Sequence, residues 1–151
     1  MRGKKAADLF EKGYNCAQAV SVAFCDLTGL TEQQAAMAAS SFGGGFGRQR
    51  EVCGAVSGMV AVAGLVFAKS ENTPENKKTT YEIVRELCEK FQAENGSLIC
   101  ADLLSGANLQ VTVGGEAEQR TESYYKKRPC AELVYSAADI LEKYLIDKGI
   151  I

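Results

Sequence analysis

Along most of this chain apolar residues recur three and four positions apart, the spacing of one face of an α-helix. Ala6, Leu9 and Phe10 predict a short first helix closed by Gly13, and Asn15 caps a second that carries Ala17, Val20, Phe24 and Leu27 up to Gly29. The segment TEQQ at 31–34 has the form of a capping box and opens an alanine-rich helix running to about Ser41. Glycines 43, 44, 45 and 47 break the chain, and the apolar run from Val52 to Ala68 then predicts a buried central helix. That run has 17 residues and contains three glycines, too short and too interrupted for a membrane span.

Thr73 followed by Pro74 marks the start of a longer helix, on which Ile83, Val84, Leu87, Cys88 and Phe91 form one stripe before Asn95 and Gly96 stop it. Ser97 is placed to cap a short helix through Leu104. Residues 105–123 read as irregular, with a strand-like LQVTV at 109–113. A final helix begins near Pro129 and aligns Val134, Ala137, Ala138, Leu141 and Leu145. The pattern is that of an all-α, single-domain bundle of five to seven helices spanning residues 1–151.

Composition narrows the function classes. The 151 residues are 46% hydrophobic and 24% charged, enough to bury a core without disulfide staples. A formal net charge of −2 gives no broad basic surface for nucleic acid. The N-terminal MRGKKAADLFEKG lacks the apolar run of a secretory signal, so a reducing cytoplasm is the expected compartment, with free thiols. Without histidine there is no imidazole base or imidazole metal ligand. The C-terminal YLIDKGII offers apolar residues either to its own bundle or to a second copy of the chain.

Cysteine is the residue type left with chemical promise. Cys16, Cys53, Cys100 and Cys130 all fall in or near the first turn of a predicted helix, where unpaired N–H groups and the positive end of the macrodipole favour thiolate over thiol. A thiol of pKa about 8.5 is only about 3% ionised at pH 7, whereas one lowered to about 6.5 is about three-quarters ionised. Arg48 and Arg50 precede Cys53, and Lys126, Lys127 and Arg128 precede Cys130; cationic neighbours lower a thiol further. The loop glycines Gly45 and Gly47, with Arg48, Arg50 and Gly54, are the candidate residues for stabilising a thiolate or holding an anion. The loop matches neither a Walker A pattern nor a full G-x-G-x-x-G after a strand. Gly54 and Gly58, one turn apart, leave room for another helix to pack closely behind Cys53. Cys25 and Cys88 lie inside helices and read as core residues; on an unbroken helix Cys25 points about 180° away from Cys16.

GYNCAQAV at 13–20, CGAVSG at 53–58, and then Cys100 and Cys130 are similar to the redox-active protein family named for its C_GCAxxG_C_C cysteine pattern. Cys53, Gly54, Ala55 and Gly58 meet its C-G-A-x-x-G motif, and Cys16, Cys100 and Cys130 fill the other places. The resemblance covers nearly the whole chain and implies thiol chemistry without naming a substrate.

Three readings of the four cysteines follow. In the first, one thiolate attacks a disulfide or oxidant and a second cysteine resolves the product, with Cys53 the expected attacker and no cofactor required. The partner is then a redox protein or a small-molecule disulfide or oxidant. In the second, Cys16, Cys53, Cys100 and Cys130 ligate a metal, either zinc or an iron–sulfur cluster, although their separations of 37, 47 and 30 residues lack the close pairs such sites usually have. In the third, the glycine loop and its arginines make a non-catalytic module that binds an anion or a partner.

Overall fold

In the computed structural model, which describes residues 1–151, the chain is helical with no β-strand. The elements are α1 (Arg2–Glu11), α2 (Cys16–Ala23), α3 (Cys25–Thr28), α4 (Glu32–Ala39), a 3-10 turn (Ser40–Phe42), the single turn α5 (Gly43–Phe46), α6 (Gly54–Phe67), α7 (Pro74–Asn95), α8 (Cys100–Gly106), α9 (Glu122–Lys127) and α10 (Cys130–Asp147). Seven of these have at least seven residues.

Local chemistry sets several of the starts. Asn15 accepts from the Gln18 amide while Gln18 accepts from that of Asn15, and Thr31 and Gln34 repeat the arrangement on α4. Thr73 caps α7 with Pro74 in its first turn, and Gly96 ends it at φ 92°. Ser97 behaves differently from a helix cap: it accepts from the Ile99 amide and donates to Asp102, and α8 begins only at Cys100.

The helix expected to run through Leu27 breaks at Phe24, where φ is −115°. Arg2 accounts for the break. Its guanidinium donates to the freed Ala23 carbonyl, makes two bonds to Asp26 and lies 4.9 Å from the centre of the Phe24 ring. Cys25 therefore opens α3 half-buried, outside the core, while Cys88 is half-buried against it. The strand-like segment 109–113 forms no strand, because its acceptors face arginines: Thr112 O receives Arg50 Nε at 2.9 Å, and the neighbouring Gly114 O receives Arg48 Nε at 2.8 Å.

α6 packs against α2, α7 and α10, and its buried residues, among them Ala55, Val56, Met59, Val62 and Ala63, join Phe10, Phe24, Leu87, Phe91 and Leu141 in one core. Beyond Ala63 the helix emerges, with Leu65 exposed. At the C-terminus Tyr144 and Leu145 pack inward, whereas Ile146, Ile150 and Ile151 are exposed. No helix is long and apolar enough to cross a membrane.

Candidate four-cysteine site

The glycine segment is a tight coil rather than a plain turn. Gly44, Gly45, Phe46, Gly47 and Arg48 in succession, and then Arg50, have left-handed φ values between 61° and 70°. Three of these lack glycine's freedom, so the coil is a strained element that its surroundings hold in place. The amides of Arg50 and Glu51 return to the carbonyls of Gly44 and Gly45. Gly45 is required sterically: a Cβ there would stand 2.8 Å from that of Cys100 and 2.7 Å from the Glu51 nitrogen.

Beyond the coil, the chain pairs with the lead into α8. Val52 and Ile99 form an antiparallel bridge; the Cys53 amide donates to Leu98 O at 2.8 Å, and the Cys100 amide to Glu51 O at 2.6 Å. Both cysteines are thereby fixed beside α2, whose Cys16 approaches α6 at Gly54. A Cβ on Gly54 would lie 3.1 Å from the Cys16 Cβ.

Cys16, Cys100 and Cys130 are the first residues of α2, α8 and α10, and Cys53 is the N-cap of α6. The four line one small cavity of about 50 Å³ with Arg50, Arg128 and Tyr124, among other residues. No three cysteine, aspartate or glutamate side chains in the chain are grouped as a metal ion would require.

Within the cavity the sulfurs differ in character. Interaction with the neighbouring Cys16 thiol lowers the Cys130 pKa, burial opposes it, and Arg128, Arg120 and Arg50 lower it further. The same interaction, with burial next, holds Cys16 well above the ordinary thiol range. Burial pushes Cys53 up to about 12, although the amides of Ala55 and Val56 face its sulfur and pull the other way without closing a cap hydrogen bond. Burial also raises Cys100, against Arg50, whose Nη1 lies 3.8 Å from its sulfur. Position at a helix start thus does not by itself activate a sulfur; desolvation outweighs it at Cys53.

Several sequence expectations change accordingly. Cys53, the expected attacker, is only 4% exposed and burial raises its thiol, while the arginine-lined setting lowers Cys130. Of the two loop arginines, Arg50 enters the cavity, while Arg48 turns to Gly114, Thr112 and Glu118. Gly54 lines the cavity and Gly45 backs Cys100, but Gly47 faces open space. Lys126 pairs with Glu122 at the surface, and only Arg128 of the basic run lines the cavity. Tyr124 carries no local mark in the sequence; its hydroxyl is pushed up to about 12 by burial first and then by the neighbouring Cys130 charge. Arg120 was equally unmarked: it lies 4.4 Å from the Phe10 ring centre and 5.0 Å from that of Tyr124.

An uncharacterized protein of Archaeoglobus fulgidus is 28% identical over 153 aligned residues, covering 96% of this chain and 93% of that one. No solved structure matches. Residues 14–144 match the model of the family described as "Putative redox-active protein (C_GCAxxG_C_C)".

Proposed function

The chain belongs to the redox-active family of the C_GCAxxG_C_C cysteine pattern, and from that membership we propose thiol–disulfide chemistry in which Cys130 is the attacking thiolate and Cys16 the resolving thiol. The observation that carries this reading is the meeting of Cys16 and Cys130, each at a helix start, in one cavity lined by Arg50 and Arg128, where Cys130 is lowered and Cys16 raised.

The Cys130 thiolate bonds to one sulfur of a substrate disulfide as the substrate S–S bond breaks, and the first substrate thiolate departs. While Cys130 is anionic, its proximity and charge, together with burial, keep Cys16 protonated. Formation of the mixed disulfide removes the Cys130 charge, so Cys16 becomes easier to ionise at the step that needs it. It yields its proton to the departing thiolate and bonds to the Cys130 sulfur, and the second substrate thiolate leaves and takes a proton from solvent. The substrate gains two electrons, the cysteine pair loses two, and an external dithiol returns the pair to its reduced form. Cys53 and Cys100 stay protonated in the cavity wall.

The test uses protein purified without oxygen, with iron, zinc and sulfide measured and thiols counted before and after one equivalent of a small disulfide. The reading expects two of the six thiols to be consumed in protein free of stoichiometric metal. Stoichiometric zinc, or iron with sulfide, and an unchanged thiol count would overturn it in favour of a metal centre.

A further inference from the structure

Arg50 is buried to 5% exposure, yet its charge has no carboxylate within ion-pair distance. Nε donates to Thr112 O at 2.9 Å and Nη1 faces Cys100 Sγ at 3.8 Å, but Nη2 is buried with no hydrogen-bond partner. A buried cation with an orphaned donor is costly unless something compensates it. Arg128 contributes a second guanidinium to the cavity, partly neutralised by Glu118. The fourteen-residue α6 and the eighteen-residue α10 start at the same place, with their unpaired N–H groups and positive dipole ends.

We propose that this cavity binds a small inorganic oxyanion, with the Arg50 guanidinium as its principal contact and Arg128 as its second. The cavity decides the size. Its roughly 50 Å³ is room for about three or four waters, which suits an anion of four or five non-hydrogen atoms and cannot enclose a nucleotide or a peptide. The planar fork of Arg50 suits two-point recognition of such an anion. The inference concerns the cavity of the proposed dithiol but depends only on its cationic lining, so either can fail without the other.

The test is calorimetric titration of the reduced protein with inorganic sulfate and with inorganic phosphate, alongside alkylation of Cys130 by iodoacetamide. Sulfate or phosphate should bind near one equivalent and slow the alkylation of Cys130. Arg50→Met should weaken binding at least about tenfold, Arg50→Lys should restore part of it, and Arg48→Gln should leave it unchanged. Cys16→Ser and Cys130→Ser should still bind the anion, separating this inference from the dithiol reading. Circular dichroism identifies variants that keep their fold. Absence of binding at millimolar anion, equal binding by folded Arg50→Met and wild type, or equal loss in Arg48→Gln would overturn the proposal.

Discussion

Gly58 of α6 passes so close to Ala17 of α2 that a Cβ on it would stand 2.7 Å from the Ala17 carbonyl oxygen and 3.0 Å from the Val20 Cβ. Ala17 follows Cys16 directly, so this contact sets how closely the start of α2, with Cys16, approaches α6. The two glycines of the C-G-A-x-x-G motif thus have a shared physical role: Gly58 admits α2 and Gly54 admits Cys16. Gly58→Ala should cost about 1–3 kcal/mol of stability by overpacking, read from denaturant midpoints. It should also slow disulfide formation between Cys16 and Cys130, because relief of the clash moves α2 outward.

The ionisation of Cys130 gives a second prediction. Its iodoacetamide reactivity should follow a thiolate that appears below the ordinary thiol range. Cys16→Ala removes the largest stabilising influence and should raise the midpoint more than Arg128→Gln does, whereas Cys16→Ser retains a donor and should shift it less. Equal profiles for wild type and Cys16→Ala would contradict this assignment.

Cys53 contributes to the loss of stability at high pH. Its pKa is raised by folding, so the unfolded chain loses that proton first, and stability falls as pH climbs through the ordinary thiol range toward about 12. Cys53→Ala should flatten this part of the profile in denaturant titrations, whatever it costs through the cavity it leaves at neutral pH.

Arg120 holds the segment ahead of α9 against α1. Its guanidinium donates to the carbonyls of Phe10 and Tyr14 at 3.2 Å each and lies over the Phe10 ring. Arg120→Ala should cost about 1–3 kcal/mol and make the 109–121 segment more susceptible to limited proteolysis, with the Cys130 midpoint moving upward.

Much of the helical architecture was legible because its signals are local. Asn15 with Gln18, Thr31 with Gln34, and Thr73 with Pro74 mark their helices within four residues. The break at Phe24 was not, because Arg2 and Asp26 produce it across more than twenty residues while the apolar pattern continues through it. Likewise the first-turn placement of the cysteines could be read from flanking residues, but their electrostatic ranking could not. Adjacency suggested that Arg50 serves Cys53; the left-handed coil instead aims it at Cys100, and burial raises Cys53. Glu118, which draws Arg48 and Arg128 together, lies in a segment with no periodicity to reveal it.

The most direct measurement is mass-spectrometric mapping of the disulfide formed when the anaerobically purified protein is oxidised by one equivalent of a small disulfide. A Cys16–Cys130 bond, with Cys53 and Cys100 still free, is the predicted result, and Cys16→Ser should instead accumulate the mixed disulfide on Cys130. A bond involving Cys53 in the wild type, or a mixed disulfide trapped on Cys53 in that variant, would contradict the account.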